Sequence, residues 1–169
     1  MKNLRLLTLS LTLAFSVSAI KAQGPIPNIT DYRLDFTVAG IKGDSIKLSS
    51  LKGKVFILDF WASWCTPCRY SNKHLVKMYN KYKDKGFEIL SVSLDDQKNE
   101  WKKAASKDKI TWMSGIDPGG WDTGEARAST KWQVDAIPAS FLINKNGDVV
   151  AINLEKNDLE KKIKELLGL

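Results

Sequence analysis

The 169-residue sequence contains two cysteines, and both stand in one tetrapeptide, Cys65-Thr66-Pro67-Cys68. A structural staple would join distant segments. Closing a loop of about four residues gives only about 2 kcal/mol of chain-entropy stabilisation before strain, so this pair is better suited to opening and closing. The attacking form in such exchange is a thiolate. If the tetrapeptide opens a helix, unpaired backbone N–H groups and the helix dipole converge on Cys65 and favour its ionisation. Cys68 then lies one turn further in, within reach as the resolving thiol. Pro67 falls in the first turn, where its missing N–H costs little. Arg69, Lys73 and Lys77 add positive potential. The Cys65 thiol is therefore expected below its free value of about 8.5.

Two further titratable residues stand near the pair. Asp59 interrupts the apolar run Lys54-Val55-Phe56-Ile57-Leu58-Asp59-Phe60-Trp61. A carboxylate there is costly unless partnered, so a raised pKa and proton-transfer work are expected of it. The competing reading is a strand-end Asp that caps something locally. His74 is the single histidine and reads as a plain helix residue. Structural zinc takes four ligands, and Cys65, Cys68 and His74 offer three. Haem attachment needs His directly after the second cysteine, where Arg69 stands. No metal and no cofactor are expected.

These residues need elements to hold them. Leu34 to Val38 and Ile46 to Leu48 alternate apolar and polar about a Gly-rich turn and read as a β-hairpin. The run from Lys54 to Trp61 suits a central strand covered on both faces. A helix from the tetrapeptide to about Lys83 carries Leu75, Met78, Tyr79 and Tyr82 at helical spacing. Phe87 to Leu94 reads as the next strand and Lys98 to Lys107 as a more polar helix. A loop with Gly115, Pro118, Gly119 and Gly120 follows, then a helix over roughly Glu125 to Trp132. Ala139 to Ile143 and Val149 to Ile152 flank a hairpin turn at Lys145-Asn146-Gly147. The last helix is expected from Asn157, with Asn157 and Glu160 as a capping box and Leu159, Ile163, Leu166 and Leu167 as its apolar stripe. This order predicts an α/β domain with a central mixed sheet flanked by helices and an N-terminal hairpin.

Composition sets the setting. The chain is 43% hydrophobic and 27% charged, which describes a globular domain. Residues 1–22 differ: Lys2 and Arg5 precede an uncharged run of about 15 residues, short of the roughly 20 a membrane span needs, and small residues follow. This is the pattern of a secretory signal peptide, cleaved after Ala19 or Ala22. Residues 23–30, with Pro25 and Pro27, read as a linker, and 31–169 as one domain. Asn28-Ile29-Thr30 fits a glycosylation sequon by chance composition. The formal charge is +7. Removing Lys2, Arg5 and Lys21 from the 26 basic side chains leaves 23 against 19 acidic ones, a net of +4. The lysines are dispersed, which argues against a nucleic-acid groove.

Phe60-Trp61-Ala62-Ser63-Trp64-Cys65-Thr66-Pro67-Cys68-Arg69 resembles the active-site segment of the thioredoxin superfamily, and Ala136-Ile137-Pro138-Ala139-Ser140-Phe141-Leu142-Ile143 resembles its second hallmark, a cis-proline loop leading into a strand. With the signal and the hairpin, the likeness is to the exported TlpA/ResA-like branch and covers roughly residues 31–169. It implies a thioredoxin-like fold and thiol–disulfide exchange through a Cys65–Cys68 disulfide. It also implies a cis Pro138 beside the cysteines, an Ile137 backbone that pairs with substrate, and Asp59 as the acid beneath Cys68. Trp64, Thr66 and Pro67 would shape the partner surface, whereas Trp61 belongs to the core. Many members carry Glu three residues after the second cysteine and Pro two further on; here Ser71 and Lys73 stand there.

The branch implies an enzyme that reduces disulfides of exported proteins, for example in cytochrome c maturation or general thiol homeostasis. It would work as a monomer in the bacterial periplasm, with a membrane thiol carrier as electron donor. The competing readings are a peroxiredoxin-like peroxidase and a non-catalytic metal- or protein-binding domain on the same fold. Against the first, Leu58 to Trp64 lacks the proline that precedes a peroxidatic cysteine. Against the second, both cysteines, Pro67 and Pro138 are retained. The loop Gly119-Gly120-Trp121-Asp122 is read as loop packing, with partner contact as its second role.

Overall fold

The computed structural model describes residues 27–117 and 127–169. The expectations for the signal peptide, for residues 23–26 and for the loop 119–122 fall outside them. At the centre lies β3 (Val55–Trp61), with every residue buried. It runs parallel to β4 (Phe87–Ser93) and antiparallel to β6 (Ala139–Ile143). Strand alternation gives β3 two apolar faces. Phe56, Leu58 and Phe60 pack with Ile29, Phe36 and Trp132. Val55 and Ile57 pack with Leu75, Met78 and Tyr82 of α1 (Thr66–Tyr82) and with Leu159 and Ile163 of α4 (Lys156–Leu167). By the same alternation Asp59 and Trp61 belong to this second, helix-covered face. Trp61 packs there against Cys65, Cys68 and Trp101 of α2 (Lys98–Lys107).

The sheet extends on both sides. β6 pairs with β7 (Val149–Ile152), antiparallel, with a register shift between Leu142 and Ile143. On the other side β4 pairs in parallel with β5 (Met113–Ile116), and β5 pairs antiparallel with β1 (Thr37–Gly40) of the β1–β2 (Ser45–Lys47) hairpin. The order among the described residues is β2-β1-β5-β4-β3-β6-β7. The expected mixed sheet, helices and N-terminal hairpin are all present, and the architecture is thioredoxin-like.

Several expectations need correction. The stretch read as loop around Gly115 contains β5, the strand that ties the hairpin to the rest of the sheet. Met113-Ser114-Gly115-Ile116 has too few β-branched residues to announce itself. Gly115 is required there, because a Cβ would approach Val38 Cγ2 to 2.3 Å. Leu34 to Phe36 precede the hairpin, whose strands begin at Thr37. Residues 27–30, placed in a linker, are packed: Ile29 is 1% exposed, its N–H donates to Gly147 O, and Val149 N–H donates to Pro27 O. The Asn28 amide is engaged in the same junction, donating to Asp148 Oδ1 at 2.6 Å. The third helix is the short α3 (Ala128–Lys131); residues 125 and 126 lie outside the description. α4 starts at Lys156 with no side-chain cap. Glu160 accepts instead from Lys81 Nζ and Tyr82 Oη, at 2.6 and 2.7 Å, and ties α4 to α1.

Candidate active site

The turn after β3 delivers the two cysteines to the start of α1. Cys65 is the N-cap residue, and its Sγ accepts the Cys68 backbone N–H at 3.2 Å. One of the helix's otherwise unpaired donors therefore points at the Cys65 sulfur. Cys65 and Cys68 are joined as a disulfide, with Cα atoms 5.3 Å apart. Cys68 is the more enclosed, 1% exposed against 5% for Cys65. Thr66, Pro67 and Trp64 surround the pair at the surface, and Trp64 is 59% exposed. Trp61 is fully buried, as expected.

The loop is clamped from below by a group the sequence reading passed over. Asp95, buried just after β4, accepts from Ser63 N–H at 2.9 Å, from the Ser63 hydroxyl at 2.6 Å and from the Ser93 hydroxyl at 2.6 Å. Its signal was available: two serines and an aspartate at the end of an apolar strand repeat the pattern that singled out Asp59.

Arg69 is held by an ion pair. Its guanidinium forms a two-pronged ion pair with Asp108, the residue that ends α2, and also donates to Ser63 O at 3.2 Å. Asn72 donates to the same carboxylate at 2.9 Å. Asp108 thus sets a negative charge against the positive one that Arg69 brings to the helix start.

Asp59 is 3% exposed. Burial pushes its carboxyl up to about 7, against a smaller opposing effect from Ser91, whose Oγ donates to Asp59 Oδ2 at 3.1 Å. Trp112 Nε1 donates in turn to Ser91 Oγ at 2.8 Å, which aims the serine hydrogen at the aspartate. Register places Ser140, Asp59, Ser91 and Ser114 side by side across β6, β3, β4 and β5. Cross-strand neighbours share a face, so a polar row crosses an otherwise apolar sheet. Trp101 Nε1 donates to Ser114 Oγ at 3.1 Å and satisfies its far end.

The bond between Ile137 and Pro138 is cis. Ile137 is half-buried and packs against the cluster that holds both cysteines. Pro138 lines a cavity of about 270 Å³ together with Asp59, Ser71, His74, Ser140 and Lys156. Ser71 lies three residues after Cys68, hence on the same helix face, one turn further along α1. The structure thus gathers Asp59, Cys65, Cys68, Ile137 and Pro138 at one end of the sheet, with Trp64, Thr66 and Pro67 on the rim. Among the described residues no group of three or more His, Cys, Asp or Glu side chains is placed to hold a metal ion.

A CxxC disulfide at a helix N-terminus, a cis-proline loop against it and a buried aspartate on the preceding strand make up this site. Residues 29–152 match the AhpC/TSA family model. The chain belongs to that family. Among its relatives, ResA of Geobacillus kaustophilus, a thiol–disulfide oxidoreductase, is 31% identical over 135 residues, covering 78% of this chain and 74% of the relative. Among solved structures, the thioredoxin domain of a thiol–disulfide oxidoreductase from Bacteroides vulgatus superposes with a TM-score of 0.71 at 32% identity, over 79% of this chain and 93% of that one. A thiol–disulfide oxidoreductase from Bacteroides fragilis gives 0.70 at 28%, over 78% and 96%. This AhpC/TSA member is an oxidoreductase of thiols and disulfides, and its redox pair is Cys65–Cys68.

Proposed function

We propose that the protein reduces disulfides in exported proteins, in the bacterial periplasm, after removal of residues 1–22 as a signal peptide. Cys65 attacks the substrate disulfide, and Cys68 resolves the mixed disulfide with Asp59 as its base. The observation that carries this assignment is the unequal placement of the two sulfurs: Cys65 caps α1 and receives the Cys68 N–H, while Cys68 is enclosed one turn inside. Trp64, Thr66, Pro67, Ile137 and Pro138 form the surface a substrate segment meets, with the Ile137 backbone offered for strand addition. Partners are exported proteins with disulfides and a membrane thiol carrier that re-reduces the pair; no nucleic acid is involved, and the protein works as a monomer.

The reducing direction predicts a potential nearer the thioredoxin end of the superfamily range, about −270 mV, than the strongly oxidising end near −120 mV. Equilibration with defined glutathione or dithiothreitol mixtures measures it, and a value near −120 mV reverses the direction. Cys68→Ser in the native host is expected to accumulate mixed disulfides with exported proteins, and Cys65→Ser to abolish reduction of a model disulfide. Trapping by Cys65→Ser but not by Cys68→Ser overturns the assignment.

A further inference from the structure

In this mechanism Asp59 takes the Cys68 proton while nearly sealed from water, so each turnover needs a route by which that proton leaves. The cavity of about 270 Å³ touches Asp59 and reaches α1 and α4. It is large enough for ordered water and is bordered by polar groups, as a proton path requires. His74 lines the same cavity. Its ring lies close to the Lys156 backbone, and its Nε2 is buried without a hydrogen-bond partner among the described residues. A buried ring nitrogen left unpaired is uncommon and costly, and this ring lines the cavity of the one residue that must shed a proton.

We propose that His74 relays the Asp59 proton to solvent during resolution. The inference rests on the reading of Asp59 as the base for Cys68. Cys68 gives its thiol proton to the Asp59 carboxylate, and the Cys68 thiolate attacks Cys65 Sγ. The bond between Cys65 and the substrate sulfur breaks, and that sulfur leaves with the electron pair and is protonated from solvent. The Asp59 proton passes through cavity water to the His74 ring and then to bulk. His74 suits transient rather than lasting protonation: burial and the charges of Lys156 and Lys77 hold its pKa below the usual range, against the opposing pull of Glu160 and the Lys156 backbone. Glu155 and Asp59 are the other titratable groups at the cavity. The ring remains neutral and ready to accept near neutral pH.

The test uses the reduced protein and a symmetric chromogenic aromatic disulfide, which releases one coloured thiolate when Cys65 attacks and a second when Cys68 resolves. His74→Ala is expected to leave the first release unchanged and to slow the second about fivefold to tenfold, a modest share of what general acid–base groups contribute. Free imidazole, entering the enlarged cavity, is expected to restore it. His74→Gln, which fills the site without titrating, is expected to slow the second release without rescue. A second release unchanged in His74→Ala, or slowed with no imidazole rescue, overturns the relay. Asp59→Asn separates the two levels: slowing there with none in His74→Ala removes the relay and leaves the base, whereas no slowing in Asp59→Asn removes the base itself.

Discussion

Asp59 concentrates the chemistry that single residues decide. Its carboxyl titrates near 7 in the fold and near 3.8 in an unfolded chain. Because the folded value is the raised one, the stabilisation it brings is complete below about pH 4 and is lost as pH rises to 7. A shift of about three units corresponds to on the order of 4 kcal/mol. Asp59→Asn is therefore expected to be more stable than the wild-type chain at pH 8 and to lose that advantage towards pH 4.5. Urea unfolding at pH 4.5, 6 and 8 reads this directly, and a difference constant across the three would mean that Asp59 titrates normally. Ser91 sets the same equilibrium from the other side. Ser91→Ala deletes the donor that favours the carboxylate, so the pH profile of resolution is expected to move up, with an inflection above 7. It also leaves the Trp112 indole unpaired, at a cost of about 1–3 kcal/mol. An unmoved inflection would show that Asp59 does not feel Ser91.

At the scale of elements, helix α1 must hold the turn that carries both cysteines at its N-terminus while its buried side stays fixed. Two contacts do this. The Asp95 carboxylate grips Ser63 just before the cysteines, and Asp108 at the end of α2 grips Arg69 and Asn72 just after them. Asp108 is nearly buried and Arg69 about a quarter exposed. Breaking this pair is expected to cost about 2 kcal/mol, less than the 3–5 of a fully buried pair because Arg69 retains some solvent. Asp108→Asn should also free the Arg69 charge and lower the Cys65 thiolate pKa. Denaturation curves and alkylation rate against pH measure the two effects. An unchanged thiolate pKa would place the guanidinium field out of reach of Cys65.

For the whole molecule, the sheet is one continuous body only because β5 bridges the catalytic half and the N-terminal hairpin. That bridge depends on the close approach of Gly115 and Val38. Gly115→Ala forces the Val38 methyl aside, and overpacking of this kind costs about 1–3 kcal/mol. Val38→Ala in the same chain removes the obstructing methyl, so the double variant is expected to be more stable than the two separate losses sum to. Additive losses, measured by urea unfolding, would mean that the strands move apart without resistance.

The order of strands and helices, the redox pair and the cis-proline segment could be read from the chain because each is written in contiguous residues. The runs 55–61, 87–93 and 139–143 show their burial as predominantly apolar stretches, and Cys65 to Cys68 with Pro67 mark a helix start within four positions. Asp59 stood out for the same local reason, as a charge within such a run. What only the tertiary structure decided involves residues far apart in sequence. β5 is a strand because β4 and β1 supply its partners, not because Met113-Ser114-Gly115-Ile116 favours one. Ile29 is core because the β6–β7 turn closes over it. Arg69 is neutralised by a residue 39 positions away, and Glu160 serves α1 rather than its own helix cap. The cavity shared by Asp59, Pro138 and His74 exists only where β3, β6, α1 and α4 converge. Hydrophobic period and turn chemistry act within a few residues, whereas charge pairing and cavity shape depend on which surfaces the fold brings into contact.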